Sequence, residues 1–178
     1  MKINPFQLLE KTFGGSGYDL ACAGASTALL FDRKKGSPSW KEVHFLPPYA
    51  EQLFFIYLGK KQNSREGIAH YRAKAAKLPP QYFDQISALS EAFLTEKELK
   101  YAEKIILEHE HLIANIIELP RAKTLFFADF WGEIKSLGAW GGDFILATTD
   151  RSAAKTREYF YQKGFSTVLS FEEMILKS

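Results

Sequence analysis

One uninterrupted apolar run, Leu53-Phe54-Phe55-Ile56-Tyr57-Leu58, constrains the fold more than any other segment of the chain. Six apolar residues in a row suit a strand at the centre of a sheet, and Gly59 ends it. The pair Pro47-Pro48 precedes the run and marks a domain boundary. The sequence therefore predicts a sheet-containing domain at residues 49–178, preceded by a separate segment at residues 1–48.

The order of elements after this boundary predicts the fold class. Helical patterns cover 63–77, 81–94 and 96–117, and strand-like segments cover 125–130 and 144–149. Ser152 then caps a helix that runs to Lys163, and a short strand follows at 167–169. Strand, helices, strand, strand, helix and strand in this order predict an α+β sandwich with an antiparallel sheet.

The segment before the boundary has its own signals. Asn4 and Pro5 are typical of the start of a helix, which is expected to run to Phe13. A helix of small residues is predicted at 18–25. Strands at 27–32 and 40–45 are predicted to pair through a hairpin link.

Composition excludes several classes of protein. The 178 residues are 46% hydrophobic and carry a formal net charge of +2, which gives no broad attraction to nucleic acid or acidic membranes and disfavours an RNA-binding sheet. The single cysteine excludes an internal disulfide and fits a reducing compartment. No apolar run is long enough to cross a membrane. The expected location is therefore the cytoplasm.

Two glycine-rich segments carry the functional signal. The first glycine turn is Gly14-Gly15-Ser16-Gly17-Tyr18-Asp19, and the second is Leu137-Gly138-Ala139-Trp140-Gly141-Gly142. Glycine allows backbone amides to approach an anion closely. Such turns, together with the single acid Asp19, suit phosphate handling and proton removal from an alcohol.

These two segments resemble motifs of the GHMP kinases, the galactokinase, homoserine, mevalonate and phosphomevalonate kinase superfamily. The segment 15–21 resembles the subgroup named for its Gly-Tyr-Asp-Ile-Ala motif, with Leu20 in place of isoleucine. The segment 135–144 resembles the third motif, Lys-x-x-Gly-Ala-Gly-Gly-Gly. The segment 60–66 occupies the place of a Ser/Thr-rich substrate loop. The motifs lie in family order, about 120 residues apart, which makes the pairing more specific than either motif alone.

The resemblance implies a fold and an activity. The fold would be a remnant of the GHMP N-terminal lobe at 1–48, followed at 49–178 by a C-terminal ferredoxin-like α/β sandwich. The activity would be transfer of the ATP γ-phosphate, with Mg²⁺, to a mevalonate-like alcohol or phosphorylated alcohol. Asp19 would be the catalytic base. The other implied positions are Ser16, Gly17, Tyr18, Ser64 and Arg65 on the substrate side, and Gly138, Ala139, Gly141 and Gly142 at the cofactor. No metal ligand is assigned.

The chain departs from the family pattern in two ways. Trp140 stands where the third motif has glycine, which predicts strain at a position suited to positive φ, and the extra acid Asp143 weakens a phosphate site. The first-motif lysine and the Pro-x-x-x-Gly-Leu-Gly-Ser-Ser phosphate loop have no counterpart in the sequence. The expectation is a truncated member that is inactive by itself and self-associates through its N-terminal strands.

Each of these residues also has a simpler interpretation. Asp19 and Ser64 are suited to helix capping, Arg65 to a solvated surface, and the whole chain to a non-catalytic GHMP-derived domain that binds a metabolite or a partner protein. His109 and His111 lie two residues apart on a helix, too far around it to share a metal ion, so His109 is expected to be a hydrogen-bonded core histidine. Packing roles are expected for Cys22 and for Phe54, Phe55, Phe126, Phe127 and Phe130.

Overall fold

A computed structural model of the chain describes residues 4–12, 15–32, 38–59, 71, 74, 78–138, 140 and 142–175. They fall into two compact units, which divide between Leu46 and Pro47. Unit 1 contains the residues up to Leu46, and unit 2 runs from Pro47 to Ile175. That unit 1 is the remnant of a larger lobe stays a prediction.

Unit 1 contains two helices and one hairpin. Helix α1 spans Pro5–Thr12, and the Asn4 side chain caps it by accepting a hydrogen bond from the Phe6 backbone N–H at 2.9 Å. Helix α2 spans Tyr18–Gly24. Strands β1 (Ala28–Asp32) and β2 (Ser39–Val43) pair antiparallel. All four elements were predicted, with ends that differ by one or two residues. The hairpin link at 33–37 lies outside the described residues.

Unit 2 is built on a four-stranded antiparallel sheet. Its strands are β3 (Leu53–Tyr57), β4 (Ile134–Ser136), β5 (Phe144–Thr148) and β6 (Val168–Ser170). They lie in the order β4-β5-β3-β6, which places β3 inside the sheet, between β5 and β6. This is the strand order of a ferredoxin-like sheet, and it confirms the predicted α+β fold.

Five described helices accompany this sheet. They are α3 (Gln81–Thr95), α4 (Leu99–Ile117), α5 (Ala122–Phe126), α6 (Ala153–Gln162) and α7 (Phe171–Met174). Ser152 caps α6 as predicted, accepting from the Lys155 backbone N–H. Most of the helix predicted at 63–77 lies outside the described residues. No helix in the described ranges has the length and apolarity needed to cross a lipid bilayer.

The strand predicted at 125–130 is wrong. Its first two residues end the short helix α5, and Phe127 and Phe130 are buried while Phe126 is 43% exposed. Burial at a spacing of three residues is typical of helical or turn backbone, whereas a half-buried strand alternates at a spacing of two. The second strand of the domain is instead β4, which contains Lys135.

Helix α4 begins three residues later than predicted. Residues 96–98 do not join it, because the Glu96 carboxylate accepts hydrogen bonds from the backbone N–H groups of Lys97 and Glu98 at 2.7 and 2.8 Å. The Glu96 backbone N–H itself bonds back to Ala92 and closes α3. A side chain that bonds to its own neighbouring backbone competes with helix formation, and here it separates α3 from α4.

The main core of unit 2 packs α5, α6 and the loops beside them onto the sheet. Phe54, Ile56, Ile134, Ile145 and Val168 from the strands meet Phe127, Phe130 and Phe160. Of the five aromatic residues expected in the core, Phe54, Phe127 and Phe130 are buried, Phe55 is half-buried and Phe126 is exposed. Phe126 is therefore a correction, since it lies beyond the surface that α5 presents to the core.

Candidate active site

The first glycine turn is closed by side chains of unit 1. Gly17 has φ +82°, and a Cβ built on it would lie 2.8 Å from Cδ1 of Phe6. Only glycine allows both the left-handed backbone and this close approach of the Phe6 ring. Ser16 Oγ accepts a hydrogen bond from the Tyr18 backbone N–H at 3.1 Å. The turn that leads into α2 is therefore held by Phe6 and Ser16.

Asp19 lies in the first turn of α2 with an exposed side chain. Gly17 is the N-cap residue of α2 and has no side chain that could accept a hydrogen bond. The Tyr18 backbone N–H donates to Ser16 Oγ instead. Ser16 therefore accepts from the first backbone N–H of α2, and Asp19 lies in the same turn, where the helix dipole favours an acid. An exposed carboxylate next to a rigid turn is well placed to meet a ligand.

Tyr18 is half-exposed beside this carboxylate. Its ring packs edge-on against Phe31, with centroids 5.7 Å apart. Partial burial, followed by a hydrogen bond with Cys22, raises the pKa of Tyr18 to about 12, so the phenol stays protonated at neutral pH. Cys22 is exposed, which corrects the expectation that it packs in a core. The small neighbours Ala23 and Gly24 are exposed with it and leave the thiol uncovered.

The second glycine turn is open where the first is closed. Gly138 has φ +68°, and a Cβ built on it would meet nothing within 4 Å. At the base of the turn the Leu137 backbone N–H donates to Phe144 O at 3.1 Å, and the Leu58 N–H donates to Asp143 O at 2.7 Å. The backbone at Gly138 is thus accessible while both ends of the turn are fixed to the sheet.

Trp140 is accommodated without the strain that the sequence predicted. Within the described ranges, Glu118 alone among non-glycine residues has positive φ, so Trp140 avoids the left-handed region. The Trp140 indole N–H donates to Pro120 O at 3.2 Å. Instead of opening the turn, the side chain ties it to the segment between α4 and α5.

A buried polar cluster lies behind the second turn. Glu110 of α4 is fully buried, and its Oε2 accepts from Ser136 Oγ at 3.4 Å, while its Oε1 faces Lys135 Nζ at 3.7 Å. Burial raises the pKa of Glu110 against the opposing effect of Lys135, and burial lowers the pKa of Lys135. Lys135 Nζ also lies 3.2 Å from His109 Nδ1. Because an ammonium only donates, Nδ1 accepts and the ring proton sits on Nε2.

His109 is hydrogen-bonded as predicted, but it is partly buried rather than part of the core. Burial, followed by the charge of Lys135, lowers the pKa of His109 to about 4, so the ring is neutral at physiological pH. His111 faces a different partner, Arg121, whose guanidinium lies 3.4 Å from His111 Nε2. The side chains of His109 and His111 therefore contact different residues, as their spacing on the helix predicts.

A second set of contacts joins the segment before β4 to the start of α5, and joins α4 to β5. Glu133 bonds to Arg121 and Lys123 at 2.5 and 2.6 Å. Glu103 of α4 accepts from Thr148 Oγ1 at 2.6 Å. Two glutamates of α4, seven residues apart, thus bind a hydroxyl at opposite ends of the β4–β5 pair.

The predicted site residues fall into three groups. Ser16, Gly17, Tyr18 and Asp19 lie together in unit 1. Gly138 and the buried Gly142 belong to unit 2. Ser64, Arg65, Ala139 and Gly141 lie outside the described residues, so their roles stay predictions.

Sequence reasoning missed Glu110. Its position was a usable signal, because Glu110 follows Ala102 and Ile106 at steps of four on the buried side of α4. A charged residue on an apolar helical stripe implies a buried partner, here Ser136 and Lys135.

Gly138 and the described acidic side chains bear on the fit of ATP and magnesium. Gly138 is exposed, with positive φ and open space at its Cβ position, and Gly59 and Gly164 share these features, so an anion can approach the backbone there but the geometry is not specific to phosphate. In the part of the chain that the structure describes, no three His, Cys, Asp or Glu side chains are grouped to hold a metal ion. The described residues thus assign no magnesium ligand.

Comparison with known proteins adds a likeness of fold. No family model matches the chain, and no curated protein matches its sequence. Among solved structures, L. major mevalonate kinase in complex with R-mevalonate matches 86% of this chain with a TM-score of 0.59 and 18% sequence identity. The chain spans about half the length of that protein, at 50% coverage. The chain therefore has an α+β fold similar to that of this mevalonate kinase, and at this identity the likeness extends to fold alone.

Proposed function

We propose that this chain is part of a GHMP-type kinase that transfers the ATP γ-phosphate to an alcohol or a phosphorylated alcohol. One observation carries the proposal. On a chain with a fold similar to that of a mevalonate kinase, an exposed acid, Asp19, lies two residues after Gly17, a left-handed glycine packed against Phe6. In such a reaction the acid can accept the hydroxyl proton, while phosphoryl transfer itself depends mainly on positioning and charge stabilisation.

Asp19 acts as the base in this proposal. The substrate hydroxyl oxygen forms the new P–O bond while the bond between the γ-phosphorus and the ADP oxygen breaks, and Asp19 receives the hydroxyl proton. Ser16 and Gly17 shape the turn that holds the acid. The Tyr18 phenol, neutral at physiological pH, donates a hydrogen bond to a substrate oxygen.

The second glycine turn binds phosphate oxygens through its backbone. Gly138 is open to an approaching anion, and the ends of the turn are tied to the sheet, so little reorganisation accompanies binding. Bound Mg·ATP supplies the phosphoryl group that is transferred. The exposed Asp143 at the end of the turn opposes phosphate binding by like charge.

The substrate in this proposal is a mevalonate-like hydroxy acid or its phosphate. Ser64 and Arg65 would bind its carboxylate or phosphate, because arginine presents a planar fork of donors that matches either group. Support for this substrate class comes from the paired motifs and from the likeness of fold to mevalonate kinase.

An ADP-release assay tests the proposal on the full-length gene product that carries this chain. The panel contains R-mevalonate, phosphomevalonate, homoserine and galactose, each with Mg·ATP, and the phosphorylated product is identified by mass spectrometry. We expect one ADP per phosphorylated alcohol for mevalonate or phosphomevalonate. Release of ADP without a phosphorylated alcohol, or no release at all, contradicts the proposal. In that case, binding of a panel compound measured by calorimetry would support the non-catalytic binding domain instead.

A further inference from the structure

We infer that Glu110 is a positioning residue: from α4 it holds the end of β4 through Ser136 and Lys135, and so fixes the second glycine turn. Neither the motifs nor the proposed chemistry uses this residue. The structural part of the inference stands alone. Its consequence for ATP rests on the proposed function of the turn.

The burial of the Glu110 carboxylate requires neighbouring polar groups. Glu110 is the fully buried carboxylate of α4, and a buried carboxylate is strongly unfavourable unless neighbouring groups compensate for its lost hydration. Ser136 Oγ donates to Oε2 at 3.4 Å, and the Lys135 side-chain nitrogen lies 3.7 Å from Oε1, which has no hydrogen-bond partner among the described residues. Both belong to the last two residues of β4. Their attachment to α4 is thus the condition under which Glu110 is tolerated.

Glu110 contacts the residues that immediately precede the second glycine turn. Ser136 ends β4, Leu137 opens the second glycine turn, and Gly138 takes its left-handed conformation one residue later. Through Glu110, helix α4 therefore contacts the residues just before the start of the turn. The segment that follows α4 is linked to the turn again through Pro120 O and Trp140. The two links fix the turn from both sides of Gly138.

The Lys135 side chain contacts two residues of α4. Its ammonium lies 3.2 Å from His109 Nδ1 and 3.7 Å from Glu110, so it is turned toward α4 by two neighbouring residues of that helix. A lysine that begins a phosphate-binding motif could be expected to reach the ligand. Here its charge is used instead to balance Glu110 and to tie β4 to α4.

Hydrogen exchange at two backbone amides tests the structural part. The Leu137 N–H donates to Phe144 O at the turn end of the β4–β5 pair, and the Thr148 N–H donates to Glu133 O at the opposite end. Glu110→Leu removes the acceptor for Ser136 without leaving a cavity. We expect exchange at Leu137 to accelerate about tenfold, with exchange at Thr148 unchanged, because roughly one hydrogen bond's stabilisation is lost locally.

The chain offers matched controls. Glu103→Leu removes the other glutamate of α4 that accepts from a hydroxyl, and it should accelerate exchange at Thr148 and leave Leu137 protected. Glu110→Gln keeps an oxygen for Ser136 and should retain most of the protection at Leu137. If Glu110→Leu does not fold, Ser136→Ala removes the same hydrogen bond from the side of β4 and should give the same pattern. Equal acceleration at both amides, or none at Leu137, overturns the inference.

The consequence for ATP is measured separately. In the full-length gene product, Glu110→Leu should raise KM for ATP about tenfold with kcat changed less than threefold, while Glu110→Gln stays near wild type. A changed Leu137 amide with an unchanged KM for ATP would leave the positioning role intact and contradict the phosphate-binding role of the turn. The two parts therefore fail independently.

Discussion

The two glycine turns share a residue pattern and differ in how they are built. At the first, Gly17 is packed against Phe6, and the exposed chemistry belongs to the side chain of Asp19. At the second, Gly138 has open space, and the supporting groups, Glu110 and Trp140, are attached from behind. Glycine therefore serves two purposes in this chain. In one turn it allows close packing that fixes an acid, and in the other it leaves backbone accessible.

The largest expected effect compares the acid beside each turn. In the full-length gene product, Asp19→Asn should lower kcat at least about 100-fold with ATP affinity nearly intact, because the proton acceptor is lost. Asp143→Asn should leave kcat unchanged and lower KM for ATP slightly, because a negative charge beside the phosphate site is removed. Steady-state kinetics of both variants measure this. Near-normal turnover in Asp19→Asn would show that Asp19 is not the base.

The next effect compares the two left-handed glycines. Gly17→Ala adds steric conflict with Phe6 to the cost of positive φ, and should destabilise its turn by about 2–3 kcal/mol. Gly138→Ala carries the backbone cost alone, about 1 kcal/mol. Hydrogen exchange at Ala21, which donates to Gly17 O, and at Leu137 reports the two local stabilities.

A double variant sharpens this result. Phe6→Leu removes the ring that approaches Gly17, so Gly17→Ala in that background should cost only about as much as Gly138→Ala, roughly 1 kcal/mol. A penalty that stays the same with and without the Phe6 ring would disprove the close-packing explanation.

The third prediction concerns pH and the groups behind the second turn. His109 has a pKa of about 4 in the folded chain and about 6.5 when unfolded. Between these values the unfolded chain binds a proton that the folded chain does not, so stability falls as pH decreases from about 6.5 to about 4. Melting temperatures of wild type and His109→Gln between pH 7 and pH 4 measure the difference, which should reach a few degrees.

Two neighbouring groups enter the same experiment. The raised pKa of Glu110 acts in the opposite direction, because the folded chain then holds a proton more readily, whereas burial lowers the pKa of Lys135. Both groups are present in wild type and variant, so the difference between the two curves isolates His109. Parallel curves would mean that His109 is accessible to protons in the folded chain.

The smallest effect compares two tryptophans. Trp140→Phe removes the indole N–H that donates to Pro120 O and should destabilise the second turn by about 1 kcal/mol. In unit 1 the rings of Trp40 and Phe6 have centroids 5.5 Å apart. Trp40→Phe keeps an aromatic ring beside Phe6 and should cost less than about 0.5 kcal/mol of stability. Denaturant unfolding of both variants ranks them, and the reverse ranking would remove Trp140 as a tie of the second turn.

Prediction from the sequence succeeded where the signal was local. The apolar run 53–58 gave strand β3, and Asn4 and Ser152 capped the helices expected to follow them. It failed at 125–130, where four consecutive apolar residues before Asp129 predicted a strand. Periodicity cannot assign a run that is apolar at every position, because the run matches a buried strand and a buried helix equally well.

The candidate site divides in the same way. The glycines with positive φ and the acid that follows the first turn were found from sequence, because glycine marks backbone that other residues avoid. Glu110 was missed although its place on the buried stripe of α4 was a local signal; its partners Ser136 and Lys135 lie 26 and 25 positions further along the chain and could not be identified from sequence.

The sequence by itself determined strand β3, the helices capped by Asn4 and Ser152, and the position of Asp19 after a left-handed glycine. Only the tertiary structure decided that Phe126 is exposed, that Ser16 rather than Asp19 bonds to the Tyr18 N–H, and that α4 buries a carboxylate against β4. The physical reason is range. Turns and caps depend on residues within a few positions, whereas burial and charge pairing depend on surfaces that folding brings together.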